Sequence, residues 1–218
     1  MVKAVIFDMD GVMIDSEPIQ SKAFAEVLKQ YKKEPQYNEE GIVQTVGIRS
    51  RDNWERLKAK YNIDEETNIL IEKRRQIYQK LLKSEIKPMP GLINFLKLLK
   101  KHNLKIAVAS SSNIKHIMLV LSSLNIAYYF DVIVSGESVK KGKPYPDIFL
   151  ETAVQLKITP VECLVLEDAE LGVLAGKKAG MKVIAVPNKF TKKHDFSKAD
   201  LIVDSLEKIN WSIIKNLK

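Results

Sequence analysis

One short stretch near the start of the chain, Val5 to Val12, most limits what this sequence can fold into. It is apolar up to Phe7 and then carries Asp8, Asp10 and Gly11. Its β-branched and aromatic residues suit a buried strand, because the run is too short for a helix. Side chains alternate along an extended chain, so Asp8 and Asp10 share one side if the chain stays extended as far as Asp10. Two close carboxylates favour a hard divalent cation such as Mg²⁺ between them, although an aspartate-rich turn has the same pattern.

The composition limits the possible partners. The chain has 218 residues, enough for a substantial core, and a formal net charge of +8. Its basic residues are spread among many acids, without the basic and aromatic pattern of nucleic-acid binding, so we expect no nucleic-acid partner. An anionic substrate fits the charge equally well. The single cysteine, Cys163, lies in an apolar run and is expected to be a buried small hydrophobic residue.

The hydropathy pattern argues against a membrane partner. We find no apolar run long enough to span a bilayer and no leader-like segment at the start of the sequence. We therefore expect a soluble, cytoplasmic protein. As a separate expectation, we predict a monomer.

From residue 15 to residue 87 the apolar residues follow a helical period. Ile19, Ala23 and Val27 form one stripe, and similar stripes recur later in the segment. Pro88 begins a proline-rich connector that ends it, since proline fixes φ and cannot continue a helix. The whole segment is therefore predicted to be helical.

The remainder of the chain alternates strand and helix, as a parallel sheet requires. The predicted strands after the first are Lys105 to Ala109, Val132 to Val134, Cys163 to Glu167, Lys182 to Val186 and Leu201 to Val203. The stretch from Asn188 to Lys198 is predicted to be an exposed loop. We predict an α/β fold: a Rossmann-like parallel sheet with helices on both faces, formed by residues 1–14 and 88–218, and an all-helical domain, 15–87, inserted into it.

Polar side chains collect at one edge of the predicted sheet. Asp8, Ser110 and the pair Glu167-Asp168 each follow the C-terminal end of a strand, and open α/β sheets bind ligands outside those ends. The serines from Ser110 to Ser112 could instead be N-caps of the next helix, a role compatible with phosphate binding. Lys143 lies in a loop, where a lysine is commonly just solvated.

Taken together, these residues resemble the four motifs of the haloacid dehalogenase-like hydrolases. The matching segments, in order, are Asp8-Met9-Asp10-Gly11-Val12, Ser110, Lys143-Pro144 and Glu167-Asp168. Within that superfamily the chain is similar to the phosphatases and mutases related to β-phosphoglucomutase. The segments that carry this closer similarity are Asp15-Ser16-Glu17-Pro18 and Gly142-Lys143-Pro144-Tyr145-Pro146-Asp147.

The resemblance implies phosphoryl transfer with Mg²⁺ as cofactor. Asp8 would attack phosphorus to form an aspartyl-phosphate, and Asp10 would be the general acid and base. The metal would be held by Asp8, the Asp10 carbonyl and Asp168, with Glu167 beside them.

The resemblance also assigns the groups that bind the substrate. Lys143, Ser110 and Ser111 would bind the phosphoryl oxygens. The inserted domain would be a cap that selects the substrate on closing. Arg49 and Arg74 are candidate contacts there, although both could be solvated.

Position 20 separates two enzyme classes. The mutases carry a histidine where this chain has Gln20, and glutamine cannot titrate. This residue favours a Mg²⁺-dependent phosphatase that acts on a small phosphorylated metabolite, such as a sugar phosphate. A β-phosphoglucomutase-like mutase is the alternative, because Arg49 and Arg74 could hold a bisphosphate. A non-enzymatic binding protein would be expected to lack one of the acids, and a dehalogenase would not need Asp10.

Overall fold

The computed structural model describes residues 1–38, 41–42 and 50–217. The chain divides into two compact units, unit 1 with Met1–Ile14 and Lys87–Lys218, and unit 2 with Asp15–Ile86. The division expected from the sequence, 1–14 with 88–218 and 15–87, differs from this by one residue. The assignment of unit 2 as a cap domain stays a prediction.

Helices and strands alternate along unit 1, whereas unit 2 is mainly helical. In chain order they are β1 (Ala4–Phe7), α1 (Glu17–Gln30), β2 (Tyr37–Asn38), β3 (Gly41–Ile42), α2 (Ser50–Tyr61), α3 (Thr67–Glu85), α4 (Leu92–Lys101), β4 (Lys105–Ser110), α5 (Ile114–Ser123), β5 (Val132–Ser135), α6 (Asp147–Leu156), β6 (Cys163–Glu167), α7 (Glu170–Lys178), β7 (Lys182–Ala185), β8 (Leu201–Ile202) and α8 (Trp211–Asn216). All six predicted strands of the α/β core are confirmed.

Unit 1 is built on a six-stranded parallel sheet in the order β5-β4-β1-β6-β7-β8. The central strand β1 is completely buried, and its side chains alternate between two apolar layers. Ile6 belongs to a cluster with Phe149 of α6, whereas the Phe7 ring packs against Phe95 of α4 at 5.9 Å between centroids. Helices therefore cover both faces, which confirms the predicted Rossmann-like fold class.

Each outer strand of the sheet begins directly after an aspartate that binds its neighbour. Asp131, before β5, accepts a 2.9 Å hydrogen bond from the Ile106 N–H in β4. Asp200, before β8, accepts a 2.7 Å bond from the Val183 N–H in β7 and binds the Lys177 ammonium at 2.7 Å. These contacts satisfy backbone groups at the N-terminal edge of the sheet, and so fix where the outer strands begin.

Unit 2 is not entirely helical, and the sequence prediction is wrong on this point. Strands β2 and β3 form a short antiparallel ribbon, with Tyr37 opposite Ile42 and Asn38 opposite Gly41. Pro35, which precedes the ribbon, cannot continue a helix because it lacks a backbone N–H. Pairing two short extended segments satisfies backbone groups that a helix would otherwise use.

The structure bears on the predictions for the single cysteine and for membrane-spanning segments. Cys163 is completely buried at the start of β6, as predicted. Burial raises the pKa of its thiol to about 11, so the reactive thiolate is scarce at neutral pH. Within the described ranges, no helix is both long and apolar enough to cross a membrane.

Replacing Asp200 by alanine should lower the free energy of unfolding by roughly 1–3 kcal/mol, since the buried Val183 N–H and the Lys177 ammonium lose their acceptor. Urea unfolding followed by circular dichroism measures this. Asp204→Ala, at an exposed position a few residues further on, is the matched control, with a change of about 0.5 kcal/mol or less. Equal losses in the two variants would contradict a specific role for Asp200.

Candidate active site

Three buried carboxylates meet at the C-terminal edge of the sheet. Asp8 directly follows β1, and its N–H donates to the Leu166 carbonyl of β6 at 2.9 Å. Glu167 ends β6 and Asp168 follows it. Because β1 and β6 are parallel neighbours, their carboxyl ends lie side by side. Oxygens of Asp8, Glu167 and Asp168 all lie within 4.8 Å of one another, a group that could hold a metal ion.

Lys143 is not a solvated loop residue. Its Nζ lies 2.5 Å from Asp8 Oδ1 and 2.5 Å from Glu167 Oε1, and only 10% of its side chain is exposed. The aromatic ring of Phe149 lies beneath it, 5.2 Å from Nζ to the centroid. Burial alone would lower the pKa of Lys143, but the charges of Asp8 and Glu167 outweigh it and raise the pKa. The ammonium therefore stays charged across the neutral range.

Burial and the neighbouring charges shift the pKa values of two of these acids, Asp8 and Asp168. Burial, followed by repulsion from the neighbouring carboxylates, raises the pKa of Asp168 to about 8. Burial also raises the pKa of Asp8 to about 7, although Lys143 opposes the shift. Oxygen donors with excess negative charge suit a hard divalent cation, which would favour their ionised forms. The donor set therefore fits the metal that the family resemblance implies.

Two glycines leave the space that these acids occupy. A Cβ on Gly11, whose φ is +91°, would lie 2.1 Å from Asp168 Oδ2. A Cβ on Gly172, in the first turns of α7, would lie 1.7 Å from Glu167 Oε1. Any larger residue at either position would displace a carboxylate.

Asp10 and the serines at the end of β4 and directly after it form a second group at the same edge. Ser112 Oγ donates to Asp10 Oδ2 at 3.3 Å, and the buried Ser110 Oγ accepts from the Ser112 N–H at 3.1 Å. The side chain of Ser111 is exposed. The N-cap of α5 is Asn113, whose Oδ1 accepts from a backbone N–H of the first turn at 2.9 Å, and not one of the serines.

The candidate residues of unit 2 fall into two groups. Arg74 Nη2 donates to Gln20 Oε1 at 2.6 Å, and its guanidinium lies 4.9 Å from the ring centroids of both Phe24 and Tyr78. Arg74 is therefore half-buried and held in place, rather than freely solvated. Arg49 lies outside the described residues.

Sequence reasoning missed Asn188, placed in a predicted exposed loop. Its Nδ2 donates to Asp168 Oδ2 at 2.7 Å. The signal that could have identified it is its position, shortly after the end of β7 and at the same sheet edge as the acids.

Comparisons with known proteins agree with this geometry. Residues 5–186 match the family described as haloacid dehalogenase-like hydrolase. The phosphorylated carbohydrates phosphatase of Thermotoga maritima is 34% identical over 187 residues, which cover 84% of each chain. The beta-phosphoglucomutase of Bacillus subtilis is 35% identical over 192 residues, covering 85% of this chain and 83% of the other. The crystal structure of beta-phosphoglucomutase from Clostridium difficile is similar with a TM-score of 0.75 at 29% identity, covering 100% of this chain and 97% of that one.

Without divalent metal, replacing Asp168 by asparagine should stabilise the protein at pH 8 and change little at pH 4. The pKa of Asp168 is about 8 when folded, against an ordinary 3.8. At a pH between these two pKa values, Asp168 has lost its proton in the unfolded chain but keeps it in the folded chain. The free energy of unfolding therefore falls as the pH rises through this range. Asparagine has no such proton. At about 1.4 kcal/mol per pKa unit, the difference corresponds to a gain at pH 8 of up to roughly 5 kcal/mol.

Urea unfolding in EDTA at pH 4, 6 and 8 would test this. Asp204→Asn is the control for losing one carboxylate at an exposed position. A wild type that is more stable than Asp168→Asn at pH 8 without metal would contradict the account.

Proposed function

The chain belongs to the haloacid dehalogenase-like hydrolases, and we propose that within this family it is a Mg²⁺-dependent phosphatase of a small phosphorylated metabolite, such as a sugar phosphate. The observation that carries the proposal is the buried ammonium of Lys143 between Asp8 and Glu167, beside Asp168. Phosphoryl transfer depends mainly on positioning and on neutralising charge at the transferred group. A dense cluster of fixed charges at a sheet edge suits that task.

In this proposal Asp8 is the nucleophile. Its carboxylate attacks phosphorus, the bond from phosphorus to the substrate oxygen breaks, and an aspartyl-phosphate forms. Lys143 contacts Asp8 Oδ1 and so favours the ionised, attacking form of a side chain whose pKa burial raises to about 7. Water then attacks phosphorus, and the bond from phosphorus to Asp8 breaks.

Asp10 moves the protons in both steps. It gives a proton to the departing substrate oxygen and later takes one from the attacking water. The Ser112 hydroxyl, which donates to Asp10 Oδ2, limits the orientations of this carboxyl. Asp10 lies two residues along the chain from Asp8, which supports its assignment to the same phosphoryl group.

The remaining residues bind charge. Mg²⁺, when bound by Asp8, the Asp10 carbonyl and Asp168 with Glu167 beside them, would supply positive charge to the phosphoryl oxygens. Lys143 would contribute its ammonium to the same oxygens, and Ser110 and Ser111 their hydroxyls. A water-excluding site strengthens each of these interactions.

Unit 2 is the proposed substrate-selecting cap, with Arg49, Arg74 and Gln20 as its candidate contacts. Gln20 favours the phosphatase over the mutase. Its amide accepts from Arg74 and donates to Ser16 Oγ at 3.4 Å, but unlike an imidazole it cannot act as an acid or a base near neutral pH. The mutase is kept as the second candidate because a beta-phosphoglucomutase is among the similar proteins. We further propose a cytoplasmic monomer.

The experiment follows two products together. The protein is incubated with Mg²⁺ and either p-nitrophenyl phosphate or β-glucose 1-phosphate containing a trace of glucose 1,6-bisphosphate. We expect inorganic phosphate to be released in a Mg²⁺-dependent manner and to exceed glucose 6-phosphate. Asp8→Asn should lower phosphate release by about 10³-fold or more, because an amide is a poor nucleophile. Asp204→Asn is the matched control and should leave it unchanged.

Two results would contradict the proposal. Turnover by Asp8→Asn near the wild-type rate, with contamination excluded, would remove the covalent mechanism. Glucose 6-phosphate formed many times faster than phosphate would make the mutase the better assignment.

A further inference from the structure

The loop after β7 carries a residue that reaches into the acid cluster. The Val186 N–H donates to the Glu167 carbonyl at 2.7 Å, so the chain beyond β7 continues beside the end of β6. Asn188, two residues later, is half-buried, and its Nδ2 donates to Asp168 Oδ2 at 2.7 Å. One oxygen of the Asp168 carboxylate is therefore held from outside the cluster.

The orientation of the Asn188 amide is fixed by its own loop. Its Oδ1 accepts from the Phe190 N–H at 2.9 Å, as in an Asx turn. Its backbone N–H donates to Thr191 Oγ1 at 3.1 Å, and its carbonyl accepts from the N–H groups of Thr191 and Lys192. Because Oδ1 is already bonded to the backbone, the donor Nδ2 is the atom that faces Asp168.

The backbone of Gly11 further limits the conformations that the Asp168 carboxylate can adopt. A Cβ on Gly11 would lie 2.1 Å from Asp168 Oδ2 and 2.8 Å from Asn188 Nδ2. The carboxylate oxygen and the amide are thus packed directly against the Gly11 backbone. Asp168 has little room to adopt another side-chain conformation while Asn188 holds Oδ2.

We propose that Asn188 is a positioning residue that presets the Asp168 carboxylate for a divalent cation. The inference rests on the proposed function, since it takes Asp168 to be a metal ligand. A ligand that is already oriented loses less conformational freedom on binding. Groups that orient metal ligands typically contribute about 10- to 100-fold in metal affinity. Asn188 therefore acts on metal binding through Asp168.

The test compares variants that separate the contact from the loop. Asn188→Ser keeps an oxygen that can accept from the Phe190 N–H, but its side chain is too short to reach Asp168. Asn188→Ala removes both contacts. Asp195→Ala is the matched control, because Asp195 Oδ1 accepts from the Ser197 N–H at 2.8 Å in the same loop and is not one of the three clustered carboxylates.

The measurement is a titration of each substrate-free protein with Mn²⁺, followed by the electron paramagnetic resonance signal of the free ion. We expect the Mn²⁺ dissociation constant to rise by about 10-fold or more in Asn188→Ser and Asn188→Ala. It should stay within about twofold of wild type in Asp195→Ala, as expected for a control that does not touch the ligands. Phosphatase turnover of Asn188→Ser should recover at high Mg²⁺, as expected of a binding defect.

The outcomes distinguish the inference from the function on which it rests. A wild-type protein that binds no Mn²⁺ overturns the proposed metal-dependent function, and the role of Asn188 with it. A wild type that binds Mn²⁺, with Asn188→Ser within about twofold of it, overturns the positioning role alone. Equal weakening in Asp195→Ala also overturns it, because the effect would then come from the loop as a whole.

Discussion

The ammonium of Lys143, buried between Asp8 and Glu167, is the interaction on which the rest of the site depends. Three carboxylates with oxygens within 4.8 Å of one another cannot all stay ionised without a compensating charge. A buried ion pair contributes little net stability, because desolvation offsets the attraction, but removing one partner leaves an uncompensated charge. The cluster is therefore best understood as a functional arrangement that the fold tolerates. Burial and repulsion among the acids raise the pKa values of Asp8 and Asp168 although Lys143 opposes both shifts.

The fold supports this arrangement through the pairing of β1 with β6 and through the space left by two glycines. Parallel pairing of β1 with β6 places Asp8 beside Glu167 and Asp168 through backbone hydrogen bonds alone. Strands β1 and β6 are buried throughout, so the acids at or directly after their ends are anchored to rigid elements. Gly11 and Gly172 leave space for the carboxylates that any other residue would fill. The pairing of the strands, the space left by the two glycines and the charge of Lys143 thus all act on the same group of carboxylates.

Much of this could be predicted from the sequence, because the relevant signals are local and periodic. The core strands are short continuous apolar runs, and the rule that ligands bind at their carboxyl ends already grouped Asp8, Ser110 and the pair Glu167-Asp168. The two-residue strands of unit 2 were missed since segments so short carry no period. Asn188 was missed because one asparagine in a lysine-rich loop shows nothing of what its amide faces once β7 lies beside β6. Such contacts depend on tertiary structure.

The central claim is that Asp8 carries the phosphoryl group during turnover, and chemical trapping tests it most directly. The protein would be mixed with Mg²⁺ and a substrate that it hydrolyses, quenched in acid within the first turnovers and reduced with borohydride, which converts an aspartyl-phosphate to homoserine. Peptide mass spectrometry then locates the change. The account predicts homoserine at position 8, and none in an unreacted control. Homoserine at another aspartate, or no conversion during demonstrated turnover, would contradict it.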